Sequence, residues 1–166
     1  MFASYRGAPT HIAIVYDSIF GNTAQIAKAI ASQDEAANTV QLLNVADARS
    51  ADFTGIDLLI VSSLTRGFRP TPTTAEFVEG LPANVGAGKR GIASDTRMSL
   101  DDIHPAPLRW VVDAGGYAAD RIDTMLKHKG FEVIGMPAGF MVGGTEGPLK
   151  NGEIERAKSW AAAQVS

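Results

Sequence analysis

The feature that most constrains this chain is a pair of short apolar runs that do not alternate, "HIAIVY" (11–16) and "DLLIVSS" (57–63). A strand with one wet face alternates polar and apolar residues, whereas a strand covered on both faces has no need to. Three further runs, "TVQLLNV" (39–45), "RGIASD" (90–95) and "FEVIGMP" (131–137), bring the expected strands to five. The stretches between them have helical spacing. Ile26, Ala27 and Ile30 form one apolar stripe, and Phe77, Val78 and Leu81 another. "GYAADRIDTMLKHKG" places Ala118, Ala119, Ile122, Met125 and Leu126 on one face and stops at Gly130, a natural C-terminal cap. "NGEIERAKSWAAAQV" predicts a last helix with Ile154, Ala157, Trp160 and Ala161 inward. Strands alternating with helices in this way predict an α/β protein, with a doubly wound parallel sheet and helices on both faces. In such sheets ligands bind beyond the carboxyl ends of the strands.

The 166 residues suit one domain spanning 1–166. A formal net charge of −3 gives no reason to expect nucleic acid or an anionic membrane as partner. With no cysteine, disulfides, thiolate metal sites and cysteine nucleophiles are excluded, and a reducing compartment fits. No apolar run approaches membrane-spanning length, and "MFASYRGAPTH" has no signal-peptide core. The expectation is a soluble, cytoplasmic protein without membrane insertion. His11, His104 and His128 lack metal-ligand spacing, so no metal site is predicted.

Three loops fall at expected strand ends. "DSIFGNT" (17–23) follows the first strand and opens the first helix. Helix N-termini present free N–H groups and attract phosphate. Ser18 and Thr23 offer hydroxyls, Gly21 permits positive φ, and Asn22 is a favoured N-cap. Taken alone, the loop serves equally well as an ordinary strand-to-helix turn. "SSLTRGFRPTPTT" (62–74) is polar and rich in Gly and Pro, and Pro72 is placed to begin a helix. "SDTRMSLDDIHPAPLRW" (94–110) is longer than a simple connection needs.

Other patterns fail on context. "GAGKRG" (86–91) has dinucleotide-fingerprint spacing but precedes a strand instead of opening a helix. A Walker pattern fails at Arg90, and no G-x-S-x-G elbow is present. A phosphorelay receiver would need an acidic pair, an aspartate and a lysine at strand ends. The chain offers only Asp17, then Ser62, Ser63, Met136 and Pro137.

Taken in order, these loops resemble those of flavodoxins and flavodoxin-like FMN proteins. "IVYDSIFGNTAQIAKAI" resembles their phosphate loop, and "SSLTRGFRPTPTTAEF" the loop after strand three. "SDTR" with "GYAADRIDTMLKHKGFEVI" resembles the loop after strand four with the helix and strand that follow, and "GPLKNGEIERAKSWA" the closing helix. The resemblance runs over roughly residues 11 to 163. It implies a five-stranded sheet of order 2-1-3-4-5 and non-covalent FMN. It also implies the short form of the family, since no long insertion follows "EVIGMPAGFMVGG". Carried over by position, Ser18, Ile19, Phe20, Gly21, Asn22 and Thr23 would hold the phosphate. Ser63, Leu64, Thr65, Arg66, Gly67 and Phe68 would bracket the flavin ring with Asp95, Thr96, Arg97 and Met98. No catalytic residue is implied.

Two departures stand out. Arg66 takes a position where the family often has Trp, and Met98 falls near a ring-stacking Tyr. Arg66, Arg69 and Arg97 could make the ring site basic and its flavin less reducing than that of a low-potential flavodoxin. Alternatively these arginines point to solvent or pair with Asp101 and Asp102. The implied role is electron transfer with a redox partner protein. Alternatives are a small FMN-dependent NAD(P)H:quinone reductase or protoporphyrinogen oxidase-like enzyme acting on a quinone-type substrate, and a flavin-free binding module. Trp110 and Phe140 are expected in the core rather than over the ring.

Overall fold

A computed structural model of the chain describes residues 10–66 and 68–165, with 112–115 described by their backbone alone. The strands are β1 (His11–Tyr16), β2 (Thr39–Asn44), β3 (Leu58–Leu64), β4 (Arg90–Met98), β5 (Glu132–Val133) and β6 (Ala138–Val142). The helices are α1 (Asn22–Asp34), α2 (Val45–Ala48), α3 (Pro72–Glu79), α4 (Pro107–Gly115), α5 (Ala118–His128) and α6 (Glu153–Val165), with a 3-10 turn at Leu100–Asp102. The sheet order is β2-β1-β3-β4-β5, and β6 also pairs with β4. Every pairing of these strands is parallel. This is the 2-1-3-4-5 order that the family resemblance implies.

The unbroken apolar runs now have their reason. Successive side chains of a strand point to opposite faces. Ile12, Ile14, Leu58, Ile60 and Ile92 enter one core with Ile26, Ala27 and Ile30 of α1 and Ala157 and Ala161 of α6. Ala13, Val15, Leu59, Val61 and Ala93 enter the other with Phe77 and Val78 of α3 and Ala119, Ile122 and Leu126 of α5. Both faces are therefore covered, and no position in the centre of β1 or β3 has to be polar. In α6 the two alanines are fully buried, while Ile154 and Trp160 are half-buried. Pro72 does begin α3, behind a Thr71 cap. Gly130 does follow the end of α5, at φ +91°.

The fifth position departs from the single strand expected over 131–137. Two pieces fill it: β5 lies against Arg90 and Gly91, and β6 against Ser94–Met98. The break has clear causes. Pro137 has no N–H to give the ladder. Gly135 takes φ +57°, and a Cβ there would lie 2.6 Å from Gln164 Oε1. The exposed Met136 has its carbonyl bound by Trp160 Nε1 at 3.2 Å. Opposite the gap, Ala93 N–H donates to Asp123 Oδ1 at 2.9 Å.

The stretch 94–110 also differs from a plain loop. β4 continues to Met98, and α4 begins at Pro107. Trp110 on α4 is 85% exposed, not a core residue, whereas Phe140 is fully buried as expected. Among the described residues, no helix is long and apolar enough to cross a membrane.

Candidate functional site

Because the strands are parallel, the ends of β1, β3, β4 and β6 gather on one rim. At β1 the chain turns sharply. Gly21 N–H donates to Ser18 Oγ at 3.1 Å. Gly21, not Asn22, is the residue that precedes the first turn of α1; it takes φ +90° and provides no side-chain cap. Nothing lies within 4 Å of where its Cβ would be, so the region over the helix end is open. Asn22 is instead the first helical residue, buried, and its Nδ2 donates to the Glu146 carbonyl at 3.0 Å. Thr23 is buried as well, and its hydroxyl bonds that of Thr96 at 2.8 Å. The hydroxyl near the loop surface is therefore Ser18's, and the remaining donors are first-turn amides, which have no partner within the helix. Asp17 ties this loop to the next one. Its Oδ2 accepts from Thr71 Oγ1 at 2.5 Å and from Thr73 Oγ1.

At the end of β3, Ser63 is buried and serves its own loop, accepting from Thr71 N–H at 3.2 Å and donating to the Leu64 carbonyl at 3.1 Å. Thr65 N–H donates to the Thr96 carbonyl at 3.0 Å, and Thr65 Oγ1 accepts from Ala118 N–H at 3.0 Å. Arg66 and Arg69 exchange main-chain hydrogen bonds of 2.8 and 3.1 Å, which makes a tight hairpin. Phe68 near its tip takes φ +67°, and Gly67 lies outside the described residues. Both arginines are exposed, and neither forms an ion pair among the described residues.

Arg97 behaves differently. Its Nε and Nη2 donate to the two Asp95 oxygens at 2.6 and 2.7 Å. Its Cζ sits 3.6 Å from the centroid of the Tyr117 ring. A Cβ at Gly139 would fall 2.1 Å from Arg97 Nε, so a larger residue there would have to displace the guanidinium from its place on Asp95. Asp95 is fully buried; burial pushes its carboxyl upward, while Arg97 and the Ala119 N–H, at 2.9 Å, pull it down. The partner of Arg97 is thus Asp95, not Asp101 or Asp102, and Asp102 pairs with Lys150. A cation neutralised this way adds little net charge to the rim. Of the three arginines expected to make the site basic, Arg97 is paired with Asp95, and only Arg66 of the other two lines the cleft at these strand ends.

These ends enclose a cleft of about 130 Å³ lined by Phe20, Leu64, Thr65, Arg66, Thr96, Arg97, Met98, Val142, Gly144 and Thr145. A smaller recess adjoins it, reaching Ser18, Ile19, Asn22 and Thr23. Of the residues expected at the site, Gly21, Ser63, Phe68 and Asp95 do not line either space. The wall from Val142, Gly144 and Thr145 is absent from the sequence reading; its one local signal is the Gly143-Gly144 pair after β6. Long-range bonds set this wall in place. Gly143 N–H donates to the Pro148 carbonyl at 2.8 Å, and Lys150 N–H to Met141 at 2.9 Å. Glu153 of α6 accepts from Met141 N–H at 2.6 Å, and Arg156 holds its carboxyl below the ordinary range.

This arrangement suits a phosphate-bearing planar ligand. The amide-rich end of α1, open over Gly21 and flanked by Ser18, matches a phosphate. Leu64, Met98, Val142 and Phe20 offer apolar surface to a flat ring. Small-molecule pockets usually hold about 300–1,000 Å³. A tricyclic ring would therefore be only partly enclosed, with one edge toward solvent. Among the described residues, no cluster of metal-ligating side chains exists.

No protein-family model matches the chain, and no curated protein matches it. Solved structures do. Oxidised flavodoxin 2 from Bacillus cereus covers 94% of this chain and 98% of its own, at TM-score 0.70 and 19% identity. The fold is that of the flavodoxins. A short-chain flavodoxin associated with a bacterial microcompartment aligns over 94% of this chain and 97% of its own, at TM-score 0.66 and 17% identity. Rubredoxin oxygen:oxidoreductase from the anaerobe Desulfovibrio gigas aligns over 93% of this chain, at TM-score 0.65 and 19% identity, but this chain spans only 35% of that longer protein. At these identities the likeness concerns the flavodoxin fold alone.

Proposed function

We propose that the protein binds FMN non-covalently in the cleft at the strand ends and works as an electron-transfer flavoprotein. The observation that carries this reading is the convergence of the amide-rich start of α1 with the ends of β3, β4 and β6 around one apolar cleft. In this reading the first-turn amides and Ser18 take the phosphate. Leu64, Met98 and Phe20 flank the ring, and Arg66 stands at its rim. The cofactor supplies the electron chemistry, so the protein needs to position the ring and set the local charge. No side chain is required as a general acid or base.

A second reading, a small FMN-dependent reductase acting on a quinone-type substrate, draws support from one feature. Arg66 and Met98 stand where stacking aromatics would otherwise cover the ring, which leaves room for a second reactant. The test of both begins with the absorption spectrum of the purified protein and a fluorescence titration with FMN. Flavin bands and quenching at one equivalent are expected. Absence of bands together with no quenching would leave only the flavin-free binding module. NAD(P)H oxidation with and without a quinone then separates reductase from carrier.

A further inference from the structure

Asp95 and Arg97 stand two residues apart on β4 but meet different surroundings. Arg97 lines the cleft, whereas Asp95 lines neither the cleft nor the adjoining recess. The Asp95 side chain is 0% exposed and that of Arg97 16%. Contacts on two sides fix the guanidinium. Its Nε and Nη2 donate to the Asp95 oxygens at 2.6 and 2.7 Å, and its Cζ sits 3.6 Å from the centroid of the Tyr117 ring. The carboxylate is held in turn by the Ala119 N–H at 2.9 Å, in the first turn of α5. A helix N-terminus favours negative charge. The pair is thus neutral as a whole yet polar, with its positive end at the cleft and its negative end behind it. Arg66 is the one other charged residue among the described residues that line the cleft.

We propose that this oriented pair sets the redox potential of the flavin. Arg97 is the charge that acts at the cleft, and Asp95 is the positioning residue that both holds and offsets it. The inference rests on the flavin reading above. A flavin ring gains negative charge on reduction, so a cation beside it favours the reduced form and an anion disfavours it. Salt screens buried charges much less than exposed ones, so both members of the pair count. In the intact pair the two charges largely offset each other. Loss of either partner leaves the other uncompensated. Without Asp95 the cleft meets a full cation; without Arg97 a buried carboxylate lies behind it. The two losses therefore shift the potential in opposite directions. A pair that merely braced β4 against α5 would give no such opposition, because loosening the fold is common to both losses. Arg66 is present throughout, so its own charge drops out of the comparison.

The test is spectroelectrochemical titration of FMN bound to the parent protein, to Asp95→Asn, to Arg97→Gln and to the double variant, each checked for its fold by circular dichroism. Asp95→Asn should move the midpoint potential to more positive values and Arg97→Gln to more negative ones. The double variant, which carries neither charge, should fall between the two. The proposal is overturned if the single variants shift in the same direction, if either keeps the parent's potential, or if the double variant lies outside their range. Should Asp95→Asn fail to fold, Arg97→Gln decides alone, and a potential equal to or above the parent's overturns the proposal. A parent protein that takes up no FMN removes the flavin reading and this inference with it. FMN uptake with unopposed shifts removes the role of the pair and leaves the flavin reading standing.

Discussion

Asp34 should make the protein less stable at neutral pH than in mild acid. Its carboxylate closes α1, is 1% exposed, and has no hydrogen-bond partner on either oxygen among the described residues. Burial raises its pKa from 3.8 to about 6. The folded protein therefore holds a proton that the unfolded chain releases between those two values. Stability from this group is full below pH 3.8, falls as pH rises toward 6, and is flat above that. At about 1.36 kcal/mol per pH unit, the loss at pH 7 is about 3 kcal/mol, an order-of-magnitude figure. Asp34→Asn cannot ionise and should recover much of it. The assay is urea unfolding of both proteins at pH 4 and pH 7.5. The variant should gain about 2–3 kcal/mol over the parent at pH 7.5 and little at pH 4. Asp123, raised to about 6 chiefly by burial, adds its own pH dependence to both proteins, but the difference between them removes it. An equal difference at the two pH values would refute the assignment, because a purely steric effect does not titrate.

Three further outcomes are expected. Gly139→Ala drives a methyl into Arg97 and should cost about 1–3 kcal/mol by thermal unfolding; in an Arg97→Ala background the same substitution should cost less, whereas strict additivity would mean that the two residues do not meet. Ile60→Ala, in the centre of β3 and fully buried, should cost about 2–5 kcal/mol in urea unfolding, and a loss below 1 kcal/mol would contradict the two-sided core. Arg66→Trp should make the midpoint potential of bound FMN more negative, since it removes a cation that favours a reduced, anionic ring; unchanged potentials would show that Arg66 does not act on the flavin.

What could be read from the sequence was local. β1 and β3 were legible because a strand covered on both faces writes its burial into every residue. Gly21 was legible because the turn into α1 demands a backbone that few other residues adopt. Non-local features were not. The wall at 142–145 reaches the cleft only because the chain folds back between Val142 and Leu149, and nothing near Gly143 encodes that return. α4 was hidden for another reason: among its described side chains Trp110 is solvent-exposed, and Leu108 and Val111 are 44% and 55% exposed, so none of these apolar residues signals a core-facing helix. The Asp95–Arg97 pair lies between these cases. Residues two apart in a strand share a face, so the pairing could have been inferred, but only knowledge that Asp95 is buried gives it precedence over Asp101 and Asp102.

The break between β5 and β6 bears on how copies of this protein can meet. A long, straight strand at the margin of a sheet exposes a row of N–H and C=O groups that a second chain can join, a route to aggregation. On this margin the row is interrupted by a left-handed Gly135 and by Pro137, which has no N–H to offer. The opposite margin, β2, is an unbroken run of six residues, Thr39–Asn44. Strand-to-strand association of copies, under conditions that loosen the fold, is therefore directed to β2, and a proline there would be the substitution to block it.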